Sequence, residues 1–289
     1  MQIQFRADNQ TSGVLPLPGI QTLISKRAIS LAGDDNAVTK VSAVIIAYNE
    51  ERIIRQTLSR LWWCDEIIII DSFSSDQTVK ICEEFGCSIF QRAFNGFGDQ
   101  KNFGISKAKN NWILCLDADE VLSEPLIEEI RQELTNKPSC SSYKIPLNLV
   151  FMNRVFRFGK ESNATATRLF DKTKGSWDGA IVHECLNVTG PTKTLKSKIY
   201  HYSYQDYDQF LHKINLYSSL GAQKLLKKGK KKSKAVIILA IPFNFFKYYL
   251  LERNFLNGFH GLSWAAFNTF YHFLKYAKLE ALRNSEKQA

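Results

Sequence analysis

The sequence is poor in the patterns that mark metal-binding, redox and dinucleotide proteins. None of its six cysteines forms a Cys-x-x-Cys pair or a zinc-type spacing, which argues against structural zinc and dithiol chemistry. Cys64, Cys115 and Cys185 lie in apolar or motif-bearing stretches, as expected for reduced thiols in the cytosol. Neither Gly-x-Gly-x-x-Gly after the first predicted strand nor Gly-x-x-x-x-Gly-Lys-Ser/Thr occurs. Dinucleotide-binding and P-loop proteins therefore lose support.

A leader peptide is not expected either. The segment Met1–Arg6 lacks a basic region followed by an apolar core, so it does not have the form of a secretory signal. With 289 residues, 45% of them hydrophobic, the chain can hold one large domain and an appendage. Its formal net charge is +10, and from residue 206 onward 14 Lys and Arg stand against five Asp and Glu. This basic end indicates a polyanionic partner, either a nucleic acid or an anionic membrane surface.

Short apolar runs alternate with helical patterns in the first half of the chain. The predicted strands are 41–47, 66–71, 87–91 and 112–117, and the predicted helices run from Glu50 to about Trp62, from the Ser74–Thr78 cap to about Phe85, and from 95 to 109. Further strands are predicted at 142–150 and 164–170, and the segment 181–188 could form another. Such alternation predicts an open, mostly parallel sheet. Ligands of these sheets lie beyond the carboxyl ends of the strands, near a switch in strand order.

Polar side chains end three of these strands. They are Tyr48-Asn49-Glu50, Asp71, and the pair Asp117 and Asp119 around one alanine. Because parallel strands end at one edge of a sheet, we expect the three groups to converge on one crevice. Two carboxylates at this spacing suit Mg²⁺ or Mn²⁺ and the phosphates these ions carry. The alternative is a strand that ends in a solvated acidic turn.

Together these motifs resemble a known enzyme family. Val44–Glu50, Ile70–Thr78, Lys101-Asn102 and Leu116–Asp119 are similar, in this order, to motifs of the GT-A fold, family 2 glycosyltransferases. The resemblance covers roughly residues 41 to 202. The run Trp177–Glu184 and the basic, aromatic tail resemble the branch that adds glucose to the inner core of lipopolysaccharide. The resemblance implies an α/β, Rossmann-like catalytic domain that uses a nucleotide sugar.

The resemblance also implies a role for each site residue. Ala47, Tyr48, Asn49, Glu50 and Asp71 would hold the nucleotide, Lys101 and Arg168 the diphosphate, Asp117 the ribose or the metal, and Asp119 the metal. His183 would be a further metal ligand or a structural histidine. Three alternatives stay open: Tyr48 as helix-start packing, Lys101 as a solvated helix lysine, and Arg168 as a surface residue or a contact for an anionic acceptor.

The general base is less defined by the sequence. Displacement at the anomeric carbon requires a carboxylate or imidazole near the acceptor hydroxyl. Glu184 is the first candidate for this base and Asp178 is the second. A third possibility is that neither residue is the base. The chain lacks the Glu-Asp base motif and the Gln-x-x-Arg-Trp motif of processive family 2 synthases, which favours a single transfer. Trp177 could stack on a sugar or pack in the core.

The C-terminal part has a helical pattern. A helix over 207–226 precedes the lysine run Lys227–Lys234, and an apolar segment, 235–251, and a second helix, 256–282, follow. Pro242, Asn244 and Lys247 interrupt the apolar segment, so it falls short of an uninterrupted span. We expect amphipathic helices lying on an anionic leaflet. The alternatives are a helical pair packed on the catalytic domain and a single true span.

The sequence thus predicts a flexible extension (1–39), a GT-A domain (40–204) and a basic, membrane-associated helical region (205–289). The expected enzyme is a peripheral or monotopic protein of the cytoplasmic face of a bacterial inner membrane. It would use a divalent cation and a UDP-sugar to add one hexose to a membrane glycolipid, with no nucleic acid partner. The expected acceptor is the lipopolysaccharide inner core, and the alternative is polyprenyl phosphate or another surface polysaccharide precursor. A non-catalytic polyanion-binding module is the alternative of a different class.

Overall fold

The computed structural model of the protein describes residues 39–135, 138–178 and 185–288. The predicted N-terminal extension lies, apart from its last residue, outside this part of the chain. The described residues divide into two compact units. The sheet unit comprises residues 39–135, 138–149, 161–178 and 185–202, and the helical unit comprises residues 150–160 and 203–288. The segment 150–160 is thus grouped with the C-terminal helices, which the sequence did not predict.

Strands and helices alternate through the first half of the chain, as predicted. In chain order the first elements are β1 (Val41–Ala47), α1 (Ile54–Leu58), β2 (Glu66–Asp71), α2 (Thr78–Glu84), β3 (Ser88–Gln91), α3 (Phe97–Lys107), β4 (Trp112–Asp117), β5 (Glu120–Leu122) and α4 (Glu124–Leu134). Seven strands follow: β6 (Ser142–Phe151), β7 (Arg154–Val155), β8 (Ala164–Asp171), β9 (Gly175–Trp177), β10 (Leu186–Val188), β11 (Thr192–Thr194) and β12 (Ile199–Tyr204). The chain closes with α5 (Tyr207–Lys227), α6 (Lys234–Phe246), a π-helical turn (Lys247–Leu251), a 3₁₀ turn (Asn254–Asn257) and α7 (Gly258–Gln288).

The main sheet has the strand order β3-β2-β1-β4-β8-β6-β12-β5 within the described residues. The strands β3, β2, β1 and β4 are parallel, whereas β8 is antiparallel to both β4 and β6, and β12 to β5. The sheet is therefore mixed, and the prediction of a mostly parallel sheet holds for its first half. That half is where helices join consecutive strands, and parallel pairing requires such crossovers.

The core lies on both faces of β1, whose seven residues are all buried. Ala47 at its end is level with Asp71 of β2, and Ile46 is level with Asp117 of β4. The order of connections changes direction between β1 and β4, which is the predicted switch point. The polar residues that follow these three strands consequently share one edge of the sheet.

The helix predicted from Glu50 to Trp62 is shorter than expected. Only Ile54–Leu58 is α-helical, because the flanking residues form tighter turns. The amides of Ile53 and Leu61 bond to the carbonyls of Glu50 and Leu58, which lie only three residues earlier. These turns still bury the apolar residues that produced the helical pattern.

The helical unit has an aromatic core. Phe151 meets Phe210 and Trp264 with ring centroids 5.1 and 5.4 Å apart. Helices α5 and α7 are also joined by Lys278, whose ammonium group donates to Asn215 and to the Ser218 hydroxyl. The predicted helix over 207–226 is confirmed as α5, with Asp206 as its N-cap.

One described stretch, Lys234–Leu251, is long and apolar enough to cross a membrane by length and composition alone. Its mean hydropathy over 18 residues is 1.4, and 6% of it is buried. The helix continues through Pro242, one of the residues that interrupt the apolar run. Leu239 and Phe243 of this helix are 70% and 63% exposed.

Candidate active site

Asp117 ends β4 and is held by two cations. Its Oδ1 lies 3.1 Å from the Nζ of Lys101, and its Oδ2 lies 3.1 Å from the Nη2 of Arg168. Lys101 comes from α3 and Arg168 from β8, so a helix on one face and an antiparallel strand together fix one carboxylate. The side chain of Asp117 is 30% exposed, and it is the point at which this charged group reaches the surface.

Lys101 is buried, with 1% of its surface exposed. Its ammonium group lies 4.6 Å from the ring centroid of Trp177, close enough for a cation–π interaction. The neighbouring Asn102 donates to the carbonyl of Trp177 and accepts from its amide. The alternative of a solvated helix lysine is therefore wrong. Trp177 is 8% exposed with its ring beside Lys101, which favours core packing over sugar stacking.

Glu120 completes the charged group, and the sequence did not single it out. It is fully buried, its Oε1 lies 2.5 Å from the Nη2 of Arg168, and its Oε2 accepts from the amide of Asp117. Arg168 is itself 7% exposed, so the surface alternative for this residue is wrong. One sequence feature could have indicated that Glu120 is buried: the apolar pair Val121-Leu122 follows it directly. These three residues form the buried strand β5.

The electrostatics of this group follow from its burial and its ion pairs. Burial acts to raise the pKa of Asp117, but Arg168 and Lys101 outweigh it and hold the pKa of this carboxyl well below its usual range. Burial raises the pKa of Glu120, even though Arg168 opposes the shift. Asp117 is therefore charged at neutral pH.

Asp119 pairs with a histidine that the sequence analysis missed. The Nε2 of His201 lies 3.3 Å from the Oδ2 of Asp119, and the amide of Tyr202 donates to the Asp119 carbonyl. His201 is on β12, level with Glu120 of β5 in an antiparallel pair. Burial lowers the pKa of a histidine, but Asp119, with Glu120 and Asp117, outweighs it and raises the pKa of His201 to about 9.

The loops after β1 and β2 are bonded to each other. The amide of Asn49, a residue with a positive φ of 54°, donates to the Ser74 hydroxyl, and the Asn49 side chain accepts from the amide of Ser75. The amide of Glu50 donates to the hydroxyl of Thr78. These bonds fix the shape of the crevice wall at the end of the two strands.

Asp71 lies beneath this wall and is fully buried. Its carboxylate accepts from the amide and hydroxyl of Ser74 and from the side chain of Gln91. Ala47 is buried and offers its backbone, its carbonyl accepting from the amide of Ser72. Tyr48, by contrast, is 59% exposed, so its ring is available to a ligand rather than packed at a helix start.

Asp178 closes the stem of a hairpin formed by β9 and β10. Its amide donates to the Cys185 carbonyl, and its Oδ1 accepts from the Cys185 amide. The next residues, 179–184, lie outside the part of the chain that the structure describes, and they include His183 and Glu184. Because Trp177 in the stem contacts Lys101, the chain enters and leaves this segment next to the Asp117 group.

Comparison with known proteins identifies the family. The model of the family described as "Glycosyl transferase family 2" matches residues 42–186, which carry β1 to β4 and the Asp117 group. A protein of Rickettsia felis named "Uncharacterized glycosyltransferase" is 35% identical over 265 residues, covering 86% of this chain and 92% of its own length. The chain belongs to glycosyl transferase family 2. The predicted family, α/β fold class and enzymatic nature are thereby confirmed, and a purely polyanion-binding module is excluded as the whole function.

A second relative has a more specific name. The "Lipopolysaccharide core biosynthesis glycosyltransferase LpsC" of Rhizobium meliloti is 26% identical over 246 residues, which is 83% of this chain and 91% of that protein. Among solved structures, glucosyl-3-phosphoglycerate synthase of Mycobacterium tuberculosis, in complex with Mn²⁺, UDP-glucose and phosphoglyceric acid, matches with a TM-score of 0.34 at 20% identity. That match covers 43% of this chain and 48% of the other, and a similarity of this size carries no inference about the present enzyme.

The divalent cation predicted for this family 2 enzyme can be tested against the residues present. Among the described residues, no three His, Cys, Asp or Glu side chains form a metal-binding cluster. Asp119 and His201 nevertheless offer two convergent ligands, the imidazole of His201 after it has lost the proton that its raised pKa retains. Ions such as Mg²⁺ in nucleotide sites use one or two protein carboxylates and take their other ligands from phosphates and water. The pair fits such an ion, whereas both oxygens of Asp117 already face Lys101 and Arg168.

Proposed function

We propose that this enzyme transfers a single hexose, glucose by its resemblance, from a UDP-sugar to the inner core of lipopolysaccharide at the membrane. The acceptor class is supported by the name of the Rhizobium meliloti relative. The observation that carries the proposal is the Asp119–His201 pair, 3.3 Å apart and adjacent to Asp117 at the carboxyl ends of the parallel strands. This is the edge at which ligands of such sheets bind.

The donor would lie across the ends of β1, β2 and β4. Tyr48 would present its exposed ring to the base, and the bonded loops at Asn49, Glu50 and Asp71 would form the wall against which the base and ribose lie. The exposed edge of the Asp117 carboxylate would accept a hydrogen bond from a ribose hydroxyl. Lys101 and Arg168 would contribute to diphosphate binding mainly by holding Asp117 in place, since both pair with this carboxylate.

Asp119 and His201 would hold the divalent cation against the diphosphate. When bound, the cation offsets the negative charge that develops on the leaving nucleoside diphosphate. The ion pair between the two side chains orients both of them before the donor arrives. In this assignment His201 takes the metal-binding role, with His183 as the alternative.

The reaction would be a direct displacement with inversion. The acceptor hydroxyl oxygen bonds to the anomeric carbon while the bond from that carbon to the diphosphate oxygen breaks. The hydroxyl proton passes to a carboxylate, which must lie within hydrogen-bond reach of it. Glu184 is the proposed base. Asp178 is the alternative, although its Oδ1 already accepts from the Cys185 amide in the hairpin stem.

The test is donor binding and turnover in Asp119→Asn and His201→Ala. We expect UDP to raise the melting temperature of the purified enzyme only when Mn²⁺ is present, because ligands that bind the folded state stabilise it. Both variants should lose this shift and roughly 10²-fold or more in glucose transfer. Asp208→Asn, at an exposed position of α5, is the control. A metal-dependent shift of normal size in Asp119→Asn would overturn the assignment.

The enzyme would act as a peripheral protein at the cytoplasmic face of the inner membrane. The excess of positive charge after residue 206 and the exposed apolar side chains of α6 support this location. A basic, apolar helical surface binds an anionic leaflet by charge attraction and by burial of its apolar side.

A further inference from the structure

Three neighbouring cavities lie between α6 and α7 in the helical unit, and together they are called the groove. Its apolar end has a cavity volume of about 470 Å³ and is lined by Pro242, Phe245 and Phe270, among others. Ile241 and Phe273 also line a second cavity, of about 280 Å³. The second cavity in turn shares Lys232 and Tyr276 with a third, of about 220 Å³. Since neighbouring cavities share lining residues, the three lie side by side from an apolar end to a charged end.

The charged end gathers lysines around one ring. The Nζ of Lys232 lies 4.4 Å from the ring centroid of Tyr276, and the Nζ of Lys275 lies 5.3 Å from it. Lys234 has a carboxylate partner, Glu280, at 3.0 Å. Within the described ranges, no carboxylate pairs with Lys232 or Lys275. Two ammonium groups therefore share a small site that has an excess of positive charge.

The same lysines lie near His272, which lines the middle cavity. Burial, and then the charges of Lys275, Lys247 and Lys232, lower the pKa of His272 to about 4. Burial also lowers the pKa of Lys275, and Lys232 adds to the shift. A positive potential of this kind in a partly enclosed site attracts an anion.

The apolar end of the groove leaves large hydrophobic side chains partly exposed. Ile241, Phe270 and Phe273 face the groove and are between 37% and 43% exposed. Clustered exposed aromatic and aliphatic side chains mark a binding surface more often than solvated surface. Apolar walls at one end and unpaired cations at the other match an acyl chain joined to a phosphate.

We propose that this groove binds one anionic membrane phospholipid, with its phosphate on Lys232 and Lys275 and an acyl chain along Pro242, Phe245 and Phe270. The proposal rests on the membrane location in the proposed function, and it adds a defined lipid site to that general attraction. A bound lipid would hold the enzyme in one orientation on the leaflet. A diffuse charge attraction does not do this, because it is spread over the whole lysine run.

The test is lipid retention by the full-length protein, measured by native mass spectrometry and by co-sedimentation with vesicles. We expect one phosphatidylglycerol molecule per chain, with phosphatidylcholine bound at least about tenfold more weakly. Lys232→Gln with Lys275→Gln should abolish the one-to-one complex. The control is Lys230→Gln with Lys231→Gln, which removes the same charge from exposed positions outside the groove. Equal loss in both pairs would overturn the site in favour of diffuse attraction.

The apolar end is tested by filling it. Ala266 lines the apolar cavity and is exposed, so Ala266→Phe should block the acyl chain while the melting temperature stays unchanged. Leu262→Phe, one turn earlier on α7 and outside the groove, should retain the lipid. Retention by Ala266→Phe, or displacement of the lipid by inorganic phosphate alone, would overturn the acyl-chain contact. Binding of a purified lipopolysaccharide precursor in place of phosphatidylglycerol would make the groove an acceptor site and overturn the proposal.

The lipid site and the sugar-transfer site can fail separately. Asp119→Asn is expected to retain the phospholipid, since Asp119 belongs to the sheet unit. Loss of lipid binding in the Lys232/Lys275 variant with a normal metal-dependent UDP shift would leave the donor site established. Normal lipid binding without a metal-dependent UDP shift would leave the lipid groove established and the proposed sugar transfer unsupported.

Discussion

Lys101 illustrates how a charged side chain is tolerated in the core. Its ammonium group is compensated by Asp117 on one side and by the face of Trp177 on the other. A buried charge without partners costs several kcal/mol, and removal of one member of a buried pair leaves the other uncompensated. Here Asp117 keeps Arg168 if Lys101 is lost, so the cost should be reduced but still measurable.

We expect Lys101→Met to lower the free energy of unfolding by roughly 3 kcal/mol, because methionine fills the space but leaves Asp117 with one cation. Chemical denaturation measures this change. Lys107→Met is the control on the same helix, at an exposed position, and should change stability by about 0.5 kcal/mol or less. Equal losses in the two variants would show that the Asp117 ion pair contributes nothing.

Glu120 gives a second prediction for single residues. Glu120→Ala removes the carboxylate that bonds Arg168 and the amide of Asp117. We expect a loss of about 3 to 5 kcal/mol, because a buried guanidinium loses a partner. Thermal or denaturant unfolding measures it, with Glu128→Ala, at a side chain that is 64% exposed, as the control. A stable Glu120→Ala protein would mean that Asp117 alone compensates Arg168.

Among secondary-structure elements, α3 packs unusually close to the sheet. A Cβ on Gly104 would overlap a methyl group of Val44 and lie 3.0 Å from Ile70. Helix propensity favours alanine over glycine by about 1 kcal/mol, but overpacking a rigid core costs more. We expect Gly104→Ala to destabilise the protein by about 1 to 3 kcal/mol, as measured by thermal unfolding.

The matched control for this prediction is Ser106→Ala. Ser106 is exposed on the same helix, so alanine gains propensity there without meeting the sheet. It should be neutral or slightly stabilising. If Gly104→Ala behaved in the same way, the helix would be free to move away from β1 and β2, and close packing would not explain the glycine.

The sequence predicts best what is local and periodic. The strands that end at Ala47, Asp71 and Asp117 were predicted at their observed bounds, because buried parallel strands appear as short apolar runs. Their shared edge then follows from topology. His201 could not be found in this way, since its place beside Asp119 depends on the pairing of β12 with β5. These two strands are antiparallel and far apart in the sequence, so the hydrophobic pattern of either strand does not predict that they pair.

Burial of charge was the other feature that the sequence did not reveal. Arg168 and Lys101 could equally have been solvated, because composition does not show which cations have partners. Their burial is produced by β8, which pairs with β4, and by α3, which packs on β1 and β2. The predictions for Glu184 and His183 stay predictions, as both residues lie outside the described part of the chain.

Over the whole molecule, positive charge and exposed apolar surface both concentrate in the helical unit. Leu239 and Phe259 are 70% and 69% exposed there, and the Lys227–Lys234 run belongs to the same unit. Salt screens attraction between exposed charges but does not weaken apolar burial. We expect about 1 M salt to release only part of the protein from phosphatidylglycerol vesicles, and detergent to release the rest. Sedimentation measures both fractions, and complete release by salt would show binding by charge alone.

The hairpin stem at Asp178 and Cys185 has a practical consequence for labelling. All six cysteines are in the described ranges; Cys64, Cys82 and Cys115 are buried, Cys87 and Cys140 are half-buried, and Cys185 is exposed. Burial raises the pKa of Cys82 to about 12 and that of Cys115 to about 11, so neither thiol reacts readily at neutral pH. A thiol-reactive fluorophore should therefore modify Cys185 first in the native enzyme. The probe would sit at the end of the segment that carries Glu184, where its emission could report substrate arrival in real time.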